Sequence, residues 1–378
     1  MTNLCTSPSG GILAEVLAAY DFPETLLGAV PYGQGHVNET YCVVCQGQEG
    51  DPKRFLLQKL SRAAFPDPVG LMENFLGITR FLRKKILAEG GDPERETLQV
   101  VLTRDGLPYC RTSDGEVWRV MPFIEGTDCY QSATPELFEA SGQIFGRFQY
   151  LLRDYPAETL HETIPHFHDT PNRFRAFREA VEADPLGRAK SCREEIDFVL
   201  AREADCAVAV DAWRRGELPL RVTHNDTKLN NVLMDRRTGR GLCVVDLDTT
   251  MPGLSIYDFG DSIRFGANHC AEDEPDLSKV NFDPELYRVF TRGFLRGAAG
   301  SLTEAELRYL PWGARLMTLE CGIRFLADYL VGDRYFHISR PDQNLLRSRT
   351  QFKLVADMEE QFDAMGAIVD TYANPEIR

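Results

Sequence analysis

The chain has 378 residues, and 57 Asp and Glu against 42 Lys and Arg leave a formal net charge of −15. This length predicts at least two folding units with hydrophobic cores, and the acidic balance argues against general binding to nucleic acid or anionic lipid. The sequence holds no stretch that approaches the roughly 20 uncharged apolar residues needed to span a bilayer. We therefore expect a soluble protein with neither nucleic acid nor a membrane as a partner.

The amino-terminal region and the cysteines indicate a cytoplasmic protein. The first Lys or Arg is Lys53, and Glu15 interrupts the early apolar run at 12–20, so the pattern of a secretory signal is missing. Cys42 and Cys45 form a C-x-x-C pair, but odd spacing on a strand turns two side chains to opposite faces, and no second pair completes a zinc site. We expect the ten cysteines to be reduced and mostly buried.

The first part of the chain, residues 1–124, is predicted to form a small, sheet-rich lobe with one main helix. Its apolar residues alternate in short runs, as in strands, and one stretch has the spacing of an amphipathic helix. The β-like runs lie at 41–44, 55–60, 99–103 and 118–124, and the helical stretch lies at 71–83.

Residues 125–378 are predicted to form a larger, mostly helical lobe with a hairpin at its front, which makes the fold class α+β. Two β-like runs, 232–234 and 242–245, are joined by a turn that contains Thr238 and Gly239. Elsewhere apolar residues recur at i, i+3 and i+4. These helical stripes lie at 137–152, 173–183, 193–214, 284–297, 304–331 and 344–372.

The residues best suited to chemistry flank this hairpin. Asp226 precedes Asn231 by five residues, and Asp246 follows the second strand. Phosphoryl transfer that depends on Mg²⁺ needs a carboxylate to meet the attacking hydroxyl and hard oxygen ligands to hold the metal on the nucleotide phosphates. We therefore predict that Asp226 is the catalytic base, that Asn231 and Asp246 are metal ligands, and that His224 supports the loop.

A literal Asp-Phe-Gly sequence at 258–260 would be taken for the metal site of a kinase. It lies 32 residues beyond Asp226, and no apolar strand immediately precedes it. We therefore interpret Asp258 as a residue that orders the catalytic loop, and not as a metal ligand.

The first lobe carries a short glycine-containing loop, in which the glycines are Gly33 and Gly35. Between two strands, such a loop lets backbone N–H groups approach the phosphates of a nucleotide. His36 could contact substrate from this loop, or it could shape the turn together with Asn38.

A lysine and a glutamate in the first lobe could anchor the phosphates. Lys59 lies on a predicted strand and Glu73 on the following helix, as in the phosphate-anchoring pair of kinases. The alternatives are a solvated surface pair, or an inward-facing Gln58, because neighbours on a strand alternate faces.

Together these residues resemble the aminoglycoside phosphotransferase and choline kinase superfamily, small-molecule kinases with a two-lobe, protein-kinase-like fold. Within it the chain is similar to the N-acetylhexosamine 1-kinases. The likeness runs over nearly the whole chain, through 33–38, 65–68, 71–74, 123–127, 164–171, 224–231, 246–253 and 319–325.

The resemblance implies transfer of the γ-phosphoryl group of ATP, with Mg²⁺, to the anomeric hydroxyl of N-acetylglucosamine or N-acetylgalactosamine. It implies that Asp226 orients and deprotonates this hydroxyl while Asn231 and Asp246 hold the metal. Lys59, supported by Glu73, would position the phosphates. The partner is then a small-molecule sugar, and we expect a monomer.

Two residues have open roles at the acceptor end of this site. Asp248 lies two residues after Asp246, so an extended backbone would turn both carboxylates to one side, where Asp248 could bind sugar or assist the metal. Arg324 lies in an apolar helical segment, where a guanidinium needs a partner. That partner is either Glu320, four residues earlier, or the sugar hydroxyls that the resemblance suggests.

Other functions stay open as well. The same fold could phosphorylate another sugar, an aminoglycoside, choline or homoserine, and the acidic balance suits a cationic acceptor. A catalytically dead nucleotide-binding scaffold is a third possibility, but the joint presence of Asp226, Asn231 and Asp246 argues against it. We expect His161, His166 and His168 to form no zinc site, because no Cys or carboxylate spacing completes one.

Overall fold

The computed structural model describes residues 11–22, 25–33, 37–47 and 51–374. These residues divide into two compact units. The first comprises the described residues up to Thr127 together with Leu160–Pro165 and Val245–Thr250. The second comprises the described residues of 128–159, 166–244 and 251–378.

An antiparallel sheet of five strands forms the body of the first unit, in the order β1-β2-β3-β5-β4. Asp67 caps the main helix by accepting a hydrogen bond from the backbone of Gly70, and Pro68 occupies its first turn. The strands are β1 (Leu26–Pro31), β2 (Glu39–Cys45), β3 (Lys53–Lys59), β4 (Cys110–Arg111) and β5 (Val117–Pro122), and the helices are α1 (Ile12–Ala18), α2 (Pro68–Ala88) and α3 (Pro93–Glu96).

Both faces of this sheet carry buried residues. Cys42 and Cys45 lie on opposite faces, as predicted, and both are buried. The predicted strand at 99–103 is wrong, because Val101 and Thr103 form only isolated bridges before a turn at Gly106. All nine described cysteines are free, and six of them are buried.

The second unit is mostly helical. Its helices are α4 (Pro135–Leu151), α5 (Thr170–Ala183), α6 (Arg193–Leu200), α7 (Glu203–Cys206), α8 (Val208–Arg214), α9 (Ser255–Gly266), α10 (Pro284–Ala298), α11 (Glu304–Val331), α12 (Gln343–Glu360) and α13 (Phe362–Ala373). Its strands are β7 (Arg221–Thr223), β8 (Val232–Asp235), β9 (Gly241–Val244) and β10 (Met251–Gly253), and β6 (Thr127–Asp128) lies where the chain enters the unit. The predicted hairpin is β8 and β9, paired antiparallel. This architecture confirms the predicted α+β, protein-kinase-like fold.

Glycines let α4 and α10 pack backbone to backbone. A Cβ atom added at Gly146 would lie 2.1 Å from the carbonyl oxygen of Phe294, and one added at Gly297 would lie 2.0 Å from that of Gln143. Such distances are far below van der Waals contact, so a larger residue at either glycine would force the two helices apart.

The bounds of α11 match the predicted stripe at 304–331. Thr303 and Glu306 form a capping box at its start, and Gly332 with φ +101° ends it. The single predicted helix at 193–214 is wrong, because the chain breaks it at Arg202 and Ala207 into three short helices. Among the described residues, no helix combines the length and the apolar character needed to cross a membrane.

Candidate active site

The catalytic segment runs from the end of β7 to the start of β8. Asp226 has a side chain that is 25% exposed, and its Oδ1 lies 2.7 Å from Nζ of Lys228. Asn231, in the single turn before β8, donates from Nδ2 to the backbone oxygen of Asp226 (2.8 Å) and to its Oδ2 (3.1 Å). The structure thus brings together the predicted base and one predicted metal ligand.

The orientation of Asn231 suits a metal ligand. Its amide nitrogen is used by Asp226, and no described residue donates a hydrogen bond to its Oδ1. An amide oxygen is a hard ligand of the kind that Mg²⁺ binds in proteins. The residue itself is buried, so this oxygen is held in place by the fold.

His224 supports the loop as predicted. It is fully buried, and its ring packs edge-on against Phe145 and Phe148, with centroids 5.8 and 6.1 Å away. Its Nδ1 lies 3.2 Å from the backbone nitrogen of Asp226 and accepts that N–H. The ring therefore fixes the backbone beside the base.

Asp258 anchors the same loop from α9. Its carboxylate accepts the backbone N–H groups of His224 (3.0 Å) and Asn225 (2.8 Å) as well as the side-chain amide of Gln149. Burial raises the pKa of Asp258, although electrostatic attraction to the nearby His224 ring and the hydrogen bonds to the carboxylate act in the opposite direction. These contacts confirm that Asp258 orders the catalytic loop.

We expect Asp258→Asn to lower the free energy of unfolding by about 2–3 kcal/mol, because an amide NH₂ would face N–H donors in a buried site. The activation by Mg²⁺ should stay near that of the wild type. Urea denaturation and a Mg²⁺ titration of activity measure the two effects, with the exposed Asp276→Asn as the control. If the variant kept its stability and required more Mg²⁺, Asp258 would be a metal ligand after all.

A second carboxylate of α9 holds the segment after the base. Asp261 accepts the backbone N–H of Thr227 (3.0 Å) and lies 2.8 Å from Nε of Arg264. Burial would raise the pKa of Asp261, but the charges of Arg264 and Lys228 lower it below its usual value.

Sequence reasoning assigned no role to Lys228, although it lies only two residues after the base. Burial lowers the pKa of Lys228, but the charges of Asp226 and Asp261 raise it above its usual value. The lysine is therefore held as a cation beside the base carboxylate.

Asp246 belongs to the first unit and follows β9 by two residues. It is exposed and has a left-handed backbone, with φ 60° and ψ 56°. Among residues other than glycine, Asp and Asn adopt this conformation most readily, and such positions cluster at functional sites. The left-handed backbone and the exposed position of Asp246 fit a ligand role.

Asp248 does not share a side with Asp246. The chain turns at Asp246 into a 3₁₀ turn, Leu247–Thr249, so the expectation of an extended backbone here is wrong. The Asp248 side chain is 2% exposed; its Oδ1 lies 2.5 Å from Arg119 Nη1, and its Oδ2 accepts a hydrogen bond from Asn38 (2.6 Å). Both carboxylate oxygens therefore have partners within the first unit.

Arg119 of β5 was missed by sequence reasoning. It donates twice to Oε1 of Gln58, its register partner on β3, at 3.1 and 2.8 Å, and its guanidinium lies 4.8 Å from the ring centre of Phe75. The available signal was a single arginine in the apolar run of β5. The structure thus places Gln58, and not Lys59, on the sheet face that meets α2.

The predicted ion pair between Lys59 and Glu73 is not formed among the described residues. Lys59 pairs across the strands with Glu39 at 3.4 Å, and Glu73 pairs with His161 at 2.7 Å. The reason is strand phase, since Lys59 lies on the face opposite Gln58. The next residue of α2, Asn74, is buried; its side-chain amide donates to the backbone oxygens of His161 and Thr250 and accepts the backbone N–H of His161.

The glycine-containing loop is described in part. Gly33 has φ +85°, a conformation that favours glycine, whereas Gly35 and His36 lie outside the described residues. Asn38 accepts the backbone N–H of Ser61 (3.0 Å) and donates to Asp248, so it fixes the end of the loop.

Arg324 lies among aromatic rings on the second unit. Its guanidinium is 5.4–5.6 Å from the ring centres of Phe167, Tyr335 and Phe336, and Nη2 lies 3.4 Å from the Tyr335 hydroxyl. The salt bridge between Arg324 and Glu320, one of the two alternatives for Arg324, is not formed among the described side chains, because Glu320 bonds His168 and Thr170 instead.

For the three histidines at 161, 166 and 168, the expectation of no zinc site stays a prediction. Each of the three histidines has a carboxylate partner of its own. The pairs are His161 with Glu73, His166 with Asp169, and His168 with Glu320. No group of three His, Cys, Asp or Glu among the described residues could hold a metal ion by itself.

Comparison with known proteins decides the family. The sequence model of the phosphotransferase enzyme family matches residues 30–294, more than half of the chain. The chain belongs to the phosphotransferase enzyme family. This membership confirms the superfamily that the motifs indicate.

Solved structures similar to this phosphotransferase share its fold. A microcompartment-associated aminopropanol kinase has 18% identity and a TM-score of 0.62, over 93% of this chain and 96% of that one. Amicoumacin kinase, in complex with AMP-PNP and Ca²⁺, has 15% identity and a TM-score of 0.59 over 94% of each chain. An aminoglycoside phosphotransferase from Alicyclobacillus acidocaldarius has 15% identity and a TM-score of 0.57, over 97% and 98%. At these identities the likeness concerns the fold alone.

Proposed function

We propose that this phosphotransferase moves the γ-phosphoryl group of ATP, with Mg²⁺, to the anomeric 1-hydroxyl of an N-acetylhexosamine, giving the sugar 1-phosphate. Family membership supports phosphoryl transfer, and the motif resemblance supports the acceptor. The observation that carries the proposal is the partly exposed carboxylate of Asp226, which contacts both Lys228 and Asn231.

Asp226 is the proposed base. It orients the anomeric hydroxyl and takes its proton as the bond to phosphorus forms. The loop that carries it is held by Asp258 and Asp261, so the carboxylate meets the acceptor without reorganisation. Lys228 places a positive charge 2.7 Å from this carboxylate, which lessens its repulsion of the anionic phosphates.

Asn231 and Asp246 are the proposed metal ligands. One offers an amide oxygen that no described donor uses, and the other offers an exposed carboxylate. When bound, Mg²⁺ neutralises charge between the β- and γ-phosphates. Both side chains provide the hard oxygen atoms that this ion requires.

At the nucleotide, backbone N–H groups at Gly33 and Gly35 are proposed to approach the phosphates. Lys59 as a phosphate ligand and Glu73 as the support of Lys59 stay predictions, since the structure gives each a different partner.

At the acceptor, Arg324 is the proposed sugar ligand. Its half-buried guanidinium offers forked donors beside aromatic rings, and no described carboxylate forms an ion pair with it. Sugar hydroxyls accept such donors, and aromatic rings pack against the apolar faces of sugars. His36 stays a proposed second contact. For Asp248, the ion pair with Arg119 favours a supporting role over direct sugar binding.

We expect Arg324→Lys to raise the KM for the sugar at least about tenfold, because lysine cannot reproduce forked donors. The KM for ATP should stay within about twofold of the wild type. Arg347→Lys is a matched control, because Arg347 also lies over a ring, that of Phe325, at 5.4 Å. A fall in Tm with an unchanged KM for the sugar would instead make Arg324 structural.

The function is tested by ADP release with Mg-ATP against a panel of acceptors. The panel holds N-acetylhexosamines, other free sugars, choline, homoserine, amino alcohols and aminoglycosides. Turnover confined to N-acetylhexosamines supports the proposal. Turnover confined to a cationic acceptor would favour the second candidate, a kinase for amino compounds, which the net charge of −15 and the aminopropanol kinase fold support.

A further inference from the structure

A histidine outside the predicted chemistry touches the catalytic loop. The side chain of His168, just before α5, is 9% exposed. Its Nδ1 lies 2.8 Å from Oε1 of Glu320, and its Nε2 lies 3.3 Å from the backbone oxygen of Asn225. Both oxygens are acceptors, and a neutral imidazole carries only one N–H. An N–H on Nε2 donates to the carbonyl of Asn225, and an N–H on Nδ1 donates to Glu320.

Glu320 holds the ring from the side of Nδ1. Its side chain is 2% exposed on α11, and its Oε2 accepts the hydroxyl of Thr170 at 2.6 Å. Burial would raise the pKa of Glu320, but the His168 ring, the charge of Arg324 and the Thr170 hydroxyl bring it below its usual value. The pair is therefore buried, and it links the start of α5 to α11.

The backbone that His168 touches is strained. Asn225 has φ +66°, and a residue with a side chain keeps such a conformation only where its surroundings hold it. Its N–H donates to Asp258 at 2.8 Å, and its carbonyl faces His168. That carbonyl belongs to the peptide unit that leads into Asp226.

We propose that His168 and Glu320 are positioning residues that fix the peptide between Asn225 and Asp226 and so aim the base carboxylate. This inference rests on the proposed function of Asp226. Asp258 holds the nitrogen of Asn225 and His168 holds its oxygen, so together they hold the strained residue on both sides. Losing the contact between His168 and Asn225 misaligns the base carboxylate without removing it. Misplacement of a catalytic group lowers the reaction rate.

Two isosteric variants separate the contacts of the ring. In His168→Asn the amide nitrogen takes the place of Nδ1 and keeps the donor to Glu320, but the contact with Asn225 is lost. In His168→Gln the amide nitrogen can take the place of Nε2 and keep the donor to Asn225. We expect His168→Asn to lower kcat at least about tenfold with both KM values within about twofold, and His168→Gln to keep most of kcat at a lower Tm.

Equal losses of kcat in the two variants, in step with Tm, would overturn the proposal, and so would wild-type kcat in both. The control is His269→Asn, which changes an exposed histidine that also contacts a carboxylate, Asp283, at 2.7 Å. If either variant fails to fold, Glu320→Gln replaces it. This change removes the carboxylate that faces Nδ1 of His168 and weakens the contact that orients the ring toward Asn225, so kcat should fall with unchanged KM values. Wild-type kcat in Glu320→Gln would contradict the proposal.

The same variants test the positioning role of His168 whichever acceptor the enzyme uses. If the wild type phosphorylates a different acceptor, the kcat comparison is made with that compound. If the wild type shows no turnover, the proposed function fails, and a crystal structure of His168→Asn decides the positioning claim. An Asn225 that leaves the positive-φ region supports it, and one that stays in place overturns it.

Discussion

Asp226→Asn will lower kcat by about 10²–10⁴-fold while the KM for ATP stays within about twofold. Asparagine has the shape of aspartate and can still contact Asn231, so the loop should keep its form. It cannot take a proton from the acceptor hydroxyl, and it removes the charge that Lys228 faces at 2.7 Å.

Single-turnover kinetics with the best acceptor of the panel measure this loss, and calorimetry checks that the variant is folded. Asp370→Asn on α13 serves as the control, because it removes an exposed carboxylate elsewhere in the same unit. Turnover close to that of the wild type would remove Asp226 from the role of base.

Asp246→Asn should change the Mg²⁺ requirement and Asp248→Asn should change the stability, although the two residues lie only two positions apart in the sequence. Asp246 is exposed, so its change should raise the Mg²⁺ concentration needed for half-maximal activity by about tenfold or more with little loss of stability. Asp248 forms a buried ion pair with Arg119, and breaking such a pair costs about 3–5 kcal/mol.

A Mg²⁺ titration of activity and urea denaturation of both variants measure the two effects, and each variant is the control for the other. The assignment of Asp246 as a metal ligand would be wrong if Asp248→Asn shifted the Mg²⁺ requirement and Asp246→Asn did not. A stability loss in Asp248→Asn with an unchanged Mg²⁺ requirement would establish its supporting role.

The sequence predicted the helix whose ends are set by residues close to them in the chain. The bounds of α11 follow from the capping box at Thr303 and Glu306 and from Gly332 at its end. Apolar spacing continues through breaks of one or two residues, however, so it gave one helix at 193–214 where the chain turns at Arg202 and Ala207. Periodicity alone does not show such breaks.

At the site, short-range spacing predicted the contact of Asp226 with Asn231, and the lack of a strand before Asp258 predicted its anchoring role. Partners distant in sequence were not predictable. Asp248 meets Arg119 across 129 residues, and Glu320 prefers His168, 152 residues away, to the helical neighbour Arg324. A predicted strand also does not show which of two neighbouring residues faces the helix, which is why Lys59 was assigned to the face that Gln58 occupies.

The most direct test of the central claim is the ³¹P NMR spectrum of the product formed from Mg-ATP and N-acetylglucosamine or N-acetylgalactosamine. We expect a new phosphorus signal coupled to the anomeric proton of the sugar, and we expect it to form about 10²–10⁴-fold more slowly when the enzyme is Asp226→Asn. A phosphate on any other hydroxyl, or turnover only with an acceptor that is not a sugar, would contradict the central claim.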